Sequence, residues 1–168
     1  FSHHDSFAGV GAAVPQRINL FRVQMQRAVG GNTWRMTHNP GAPATFDLLD
    51  HLGVLCWDEN RDFGPYQAAD MTDMVRRDRN HPSIIMWSMC NEDECIEQEA
   101  STGEAYRRSA RSADTTRPVT ANLVHGSTGS ILDHLDVIGV SHASSLPAPW
   151  TPADAKWYDA RYSYEWVH

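Results

Sequence analysis

Lysine is nearly absent from this chain: Lys156 stands alone, and arginine supplies the rest of the positive charge. A formal net charge of −7 argues against a general nucleic-acid binder and leaves no basic face for a membrane surface. Arginine's planar fork suits two-bonded pairing with carboxylates instead. Cysteine is sparse too. Cys56, Cys90 and Cys95 are odd in number and lack a zinc-binding spacing, which reads as buried thiols and not as a disulfide framework. No apolar run is long enough to span a bilayer. Neither G-x-G-x-x-G nor G-x-x-x-x-G-K-[ST] occurs, which removes the usual reason to expect a nucleotide-binding sheet. His3, His4, His38 and His142 fall into no H-x-x-x-H or H-E-x-x-H pattern, so a metal-hydrolase reading has no support. Phe1–Asp5 has no signal-peptide character and reads as a strand entered part-way, so upstream residues are expected.

What is present is an ordinary globular composition, with 41% hydrophobic and 21% charged residues over 168 positions. That is enough for one domain, 1–168, with a real core. Its clearest stretch runs from Arg79 to Glu92. Pro82 cannot continue a helix, and it biases His81 toward an extended conformation. Ser83–Met89 is short and apolar, like a strand of a parallel sheet buried on both faces. Asn91 and Glu92 follow at the carboxyl end, where strands of such sheets present functional groups. A carboxyl group there is a candidate general acid; a solvated loop carboxylate is the plain alternative.

The rest of the chain repeats the alternation. Phe1–Asp5 is a first strand. Val14–Val29 has helical spacing at Val14, Ile18, Phe21 and Met25, and Gly30-Gly31 stops it. A strand within Asn32–Pro40, a helix over Ala44–Leu52 and a strand at Val54–Trp57 come next. That strand ends in Asp58 and Glu59. A helix from about Asp70 carries Met71, Met74 and Val75 on its apolar side, with Asp70 as N-cap. Glu94–Ser112 is a polar surface helix, in which Glu104 and Arg108 have favourable i,i+4 spacing. Arg117–Asn122 and Asp136–His142 are further strands, and a last helix starts near Ala153. Strand and helix repeated about six times imply a parallel sheet, either a barrel or a doubly wound sheet. Polar clusters at the ends of successive strands favour a (β/α)₈ barrel of which about six units are present.

Four segments carry a resemblance: Asn32-Thr33-Trp34-Arg35-Met36-Thr37-His38-Asn39-Pro40, Gly53–Glu59, Arg77–Ile85 and Trp87–Glu92. In order and spacing they resemble the catalytic TIM barrel of glycoside hydrolase family 2, the β-galactosidase and β-glucuronidase type. The resemblance implies an incomplete barrel and a retaining β-glycosidase activity. It implies that Glu92 is the general acid/base and that Asn91 bonds the sugar 2-hydroxyl. Arg35 would pair with the nucleophilic carboxylate, and His38, His4 and Asp5 would line the sugar pocket. Asp58 and Glu59 would mark the acidic end of the third strand, where some members contact sugar or bind Mg²⁺. No cofactor is required; Mg²⁺ at Glu59 or Glu92 is the one the resemblance allows.

Physical alternatives stand beside each assignment. Arg35 is open to a structural role paired to Glu59 or Glu92. Asp58 and Glu59 are open to loop capping. His142, at the end of the sixth strand, is a further candidate for the sugar pocket, and both it and His38 are open to ordinary hydrogen bonding. The sequence also departs from the family. Cys90 replaces the usual Gly before Asn-Glu, and Ser141-His142 replaces the usual Asn-Tyr at the end of the sixth strand. The family's nucleophile, a Glu ending the seventh strand, has no counterpart. Glu165 lies in Tyr164–His168, which reads as the helix before that strand. The expected partners are therefore a β-glycoside and the remainder of the chain, or another subunit, closing the barrel. A non-catalytic relative with a structural or interaction role is the competing class. The compartment is not legible.

Overall fold

The computed structural model describes residues 2–92, 95, 100–124 and 130–141. Six parallel strands lie side by side in chain order: β1 (Ser2–His4), β2 (Thr33–Thr37), β3 (Leu55–Glu59), β4 (Ile84–Asn91), β5 (Val119–Val124) and β6 (Val137–Ser141). Among the described residues four helices connect them: α1 (Gln16–Ala28), α2 (Pro43–Leu52), α3 (Ala68–Asp78) and α4 (Ala100–Ala113), with a 3₁₀ turn at Ser130–His134. A sheet with sequential parallel order and intervening helices is a half-barrel, an incomplete TIM barrel. Among the described residues β1 and β6 are its two edges.

Alternation along each strand divides the sheet into two faces. Trp34, Cys56, Ile84, Trp87, Val119, Ala121 and Leu123 face the helices and are buried with Val23, Phe46, Leu49, Met71, Val75, Tyr106 and Ala110. The opposite face carries Arg35, Trp57, Glu59, Ser88 and Asn122, the concave side of the half-barrel. β3 and β4 slip register at Cys56/Trp57, and β4 and β5 slip between Ser88 and Asn91, so the end of β4 is re-aimed just before the candidate acid.

Two helices follow their sequence periodicity. α2 buries Phe46 and Leu49 and ends at Gly53, whose positive φ of 65° closes the helix in a conformation a side chain resists. α3 buries Met71, Met74 and Val75. α1 departs from the expectation. Phe21 and Met25 lie on its solvent side at 55% and 51% exposure, while Asn19, Val23 and Gln26 face inward. The inward polar groups are satisfied: Asn19 Nδ2 donates to Thr45 Oγ1, and Gln26 Nε2 donates to the Thr33 carbonyl while its Oε1 bonds His3. Hydrogen bonds to α2 and to the strand ends, not apolar burial, choose this helix's face.

Two of the three cysteines are not the free thiols expected. Cys90 and Cys95 are joined in a disulfide, with Cα atoms 5.6 Å apart; the turn that ends β4 brings two nearby residues within bonding range. Cys56 alone is a free buried thiol, its pKa pushed up by burial and by the neighbouring carboxylates. The last expected helix, His142 and Glu165 lie outside the described residues.

The segment Arg77–Ile85 pins the layers together. His81 Nδ1 bonds Asp50 of α2 at 2.7 Å, and the Ser83 amide donates to the same carboxylate. Arg79 donates to the Ala113 carbonyl, and Arg117 donates to the carbonyls of Ile84 and Arg79. Asp114 accepts from Trp87 Nε1, Thr116 and Arg117. These bonds hold the amino ends of β4 and β5 in place, on the side away from the candidate site.

Candidate active site

Glu59 is the centre of the polar cluster on the concave face. It ends β3 and is completely buried. Arg35 of β2 reaches it with two nitrogens: Nε lies 3.0 Å from Oε2, and Nη2 lies 2.6 Å from Oε2 and 2.9 Å from Oε1. His38 Nδ1 lies 2.8 Å from Oε1, and Ser88 Oγ donates to Oε2. Against the Arg35–Glu59 ion pair, the short His38 contact assigns the proton to Nδ1. The peptide between Thr37 and His38 is cis.

Arg35 also ties this cluster to β4. Its Nη2 donates to Asn91 Oδ1 at 2.8 Å, and Asn122 Nδ2 of β5 donates to the same oxygen at 2.9 Å. Two donors on one oxygen fix which end of the Asn91 amide is which, so the NH₂ remains its donor end. Glu92 follows directly, half-buried, with a left-handed backbone at φ 55°. Its amide donates to the Asn122 carbonyl, and its own carbonyl accepts from the Cys95 amide at 3.0 Å. His4, at the end of β1, sits edge-on to His38 with ring centroids 5.1 Å apart. Arg35 lies over the Trp57 ring at 5.0 Å. The structure thus brings His4, Arg35, His38, Glu59, Asn91 and Glu92 to the carboxyl ends of four neighbouring strands.

Asp5 and Asp58 are not part of this cluster. Asp5 lies beside Arg22 of α1, around a small cavity with His3, Asn19 and Trp34. Asp58 is one residue out of phase with Glu59 and points to the helix side, where it is wholly buried. There it faces Asp78, which is itself paired to Arg77 at 2.7 Å. Burial, and next the negative charge of Asp78, raise the Asp58 carboxyl well above the usual carboxylate range. The alternation of a strand decides this: adjacent residues cannot both line one face. Arg35 is paired to Glu59, the alternative left open by its chemistry. Residues that sequence reading passed over are Ser88 and Asn122. Both stand on the inward phase of their strands, and that phase was the available signal.

Glu59 offers a poor seat for Mg²⁺. Both its oxygens already accept hydrogen bonds, and a guanidinium lies against them. A magnesium ion wants several open oxygens in near-octahedral array.

The sequence model described as "Glycosyl hydrolases family 2, TIM barrel domain" matches residues 64–157, more than half of the chain. The chain belongs to glycoside hydrolase family 2. It is 31% identical over 86% of its length to a beta-galactosidase of Bacteroides ovatus, and 34% identical over 56% of its length to the beta-glucuronidase of Sus scrofa. Among solved structures, a family 2 member from Bacteroides cellulosilyticus superposes with a TM-score of 0.75 at 32% identity, covering 84% of this chain. The chain spans only 23% of the length of the Bacteroides ovatus protein, 16% of the Sus scrofa one and 21% of the solved chain. Asn91 and Glu92 lie within the residues matched by that TIM-barrel model, and Glu59 lies just before them.

Proposed function

We propose that this chain is part of the catalytic barrel of a retaining β-glycosidase, with Glu92 as general acid/base. The observation that carries the reading is the Asn91 amide, held through its oxygen by Arg35 and Asn122 immediately before Glu92. Such a group presents a fixed donor to a sugar hydroxyl while the next residue presents a carboxyl group to the glycosidic oxygen. Similarity to a protein named beta-galactosidase and one named beta-glucuronidase supports a β-glycoside as substrate class.

The chemistry requires two carboxyl groups. In retention one protonates the leaving oxygen while a second, about 5–5.5 Å away, attacks the anomeric carbon and forms a covalent glycosyl-enzyme. Water then hydrolyses that intermediate, with the first carboxylate acting as base. Glu59 is ill suited to the second role, because Arg35, His38 and Ser88 occupy its oxygens. The nucleophile is therefore assigned to residues outside those described, in the part of the barrel that closes β6 back onto β1. Arg35, Glu59 and His38 then act as positioning groups, with the His38 and His4 rings beside the sugar. No metal enters this scheme.

Glu92→Gln tests it in the complete protein. Aryl β-glycosides with poor leaving groups should lose roughly 10²–10⁴-fold in kcat/KM, and substrates with good leaving groups much less. Equal loss on both, where glycosylation limits the rate, would make Glu92 structural.

A non-catalytic relative is the second reading. It is favoured by Ser141, which stands where the family usually has Asn and whose hydroxyl is engaged with the Leu123 carbonyl.

A further inference from the structure

The disulfide between Cys90 and Cys95 closes a ring of six residues, and Glu92 is inside it. Cys90 immediately precedes the Asn-Glu pair, where the family usually has Gly. Both cysteines are buried. The ring is tied to β5 by one hydrogen bond, from the Glu92 amide to the Asn122 carbonyl, and Cys95 Sγ, which carries no proton in the disulfide, packs 4.0 Å from that same oxygen. Glu92 has a left-handed backbone, which a non-glycine residue keeps only where its surroundings over-determine it. The covalent closure between Cys90 and Cys95 holds in register the side chain whose position decides proton transfer.

We propose that Cys90 and Cys95 are positioning residues for Glu92, and that breaking their bond lowers the efficiency of acid catalysis. The inference rests on the assignment of Glu92 as acid/base. Cleavage needs a dithiol reductant. One thiolate of the reductant attacks one cysteine sulfur, and the other cysteine leaves and takes a proton. The second thiol of the reductant then displaces the first cysteine. The products are two cysteine thiols and a cyclic disulfide of the reductant.

The test uses the complete protein, with and without prior dithiothreitol treatment. Alkylation under denaturing conditions reads the state of each cysteine. Of these three cysteines, Cys56 alone should alkylate in the untreated protein; alkylation of Cys90 and Cys95 there overturns the proposal. The reduced enzyme should lose about tenfold in kcat on a poor-leaving-group aryl β-glycoside, a part of the ~10²–10⁴ that a positioned acid supplies, and little on a good one. The alkaline limb of its pH profile, where the general acid loses its proton, should shift with the loss. Cys95→Ser should show the same split and no further response to reductant, which decides the matter if the buried bond resists dithiothreitol. Equal loss on both substrates, or none, overturns the proposal. Glu92→Gln assayed in the oxidised enzyme separates the two readings. If it shows the leaving-group split and reduction does not, only the positioning role falls. If it shows no split, the acid/base assignment itself falls.

Discussion

Arg35 and Glu59 form a two-bonded ion pair between neighbouring strands, with Glu59 completely buried and Arg35 extending one further bond to Asn91. The guanidinium therefore couples the charge at the end of β3 to the amide beside the candidate acid on β4. Its five donors in one plane allow both contacts, which an ammonium group would not reproduce.

Removing one partner should cost more than removing both. Arg35→Met leaves Glu59 buried beside only His38 and Ser88, and a buried pair broken on one side typically costs ~3–5 kcal/mol. The double variant Arg35→Met/Glu59→Leu should be less destabilised than the single arginine variant. Denaturant unfolding of the complete protein measures both. A double variant that loses the sum of the two single effects would show that the pair is not coupled.

Asn91→Ala should act through the substrate's 2-hydroxyl. A locked amide that donates one hydrogen bond to the developing transition state is worth about 1.5–3 kcal/mol when that state carries charge. The expected loss in kcat/KM is therefore about 10–100-fold on an aryl β-glycoside. On the 2-deoxy analogue the variant and the parent should be nearly equal. A similar loss on both sugars would assign Asn91 a structural role.

Gly139→Ala should destabilise the sheet. A Cβ there would overlap the Trp57 ring and lie 2.9 Å from the Ala121 carbonyl. Overpacking of this kind costs ~1–3 kcal/mol. Trp57 also supports Arg35 by ring stacking, so activity should fall along with stability. A lower melting temperature together with changed tryptophan fluorescence would report the displacement; an unchanged melting temperature would contradict it.

Two buried carboxyl groups should give opposite pH slopes. Asp58 has a folded pKa raised above its unfolded value, by burial first and the Asp78 charge second. The folded state then binds the extra proton, so this contribution is full below about pH 4 and is lost as pH rises through the folded pKa. Asp114 is the reverse. Burial alone would raise its pKa, but hydrogen bonds from Thr116, Trp87 and Arg117 outweigh it and hold the carboxyl well below the usual range. Its contribution is full above about pH 4 and is lost as pH falls toward that low value. Asp58→Asn should flatten the alkaline-side decline in stability, and Asp114→Asn the acid-side one. Melting temperatures across pH check both, and slopes unchanged by either variant would contradict the assignment.

The sequence by itself determined the strand–helix alternation, the half-barrel class and the position of Asn91-Glu92 at a strand's carboxyl end. Those features follow from local physics: short apolar runs, helical periodicity in α2 and α3, and Pro82 and Gly53 as stops. Tertiary structure decided which face each residue took. Asp58 and Glu59 are chemically alike and adjacent, yet one pairs with Arg35 on the concave face and the other faces Asp78 under the helices. Phe21 and Met25 have core-like character, but hydrogen bonds from Asn19 and Gln26 turned α1 the other way. Cys90 and Cys95 could be counted in the sequence, but only the turn after β4 made them partners. In each case composition and spacing describe what a residue is, whereas strand phase, register slips and long-range hydrogen bonds set what it meets.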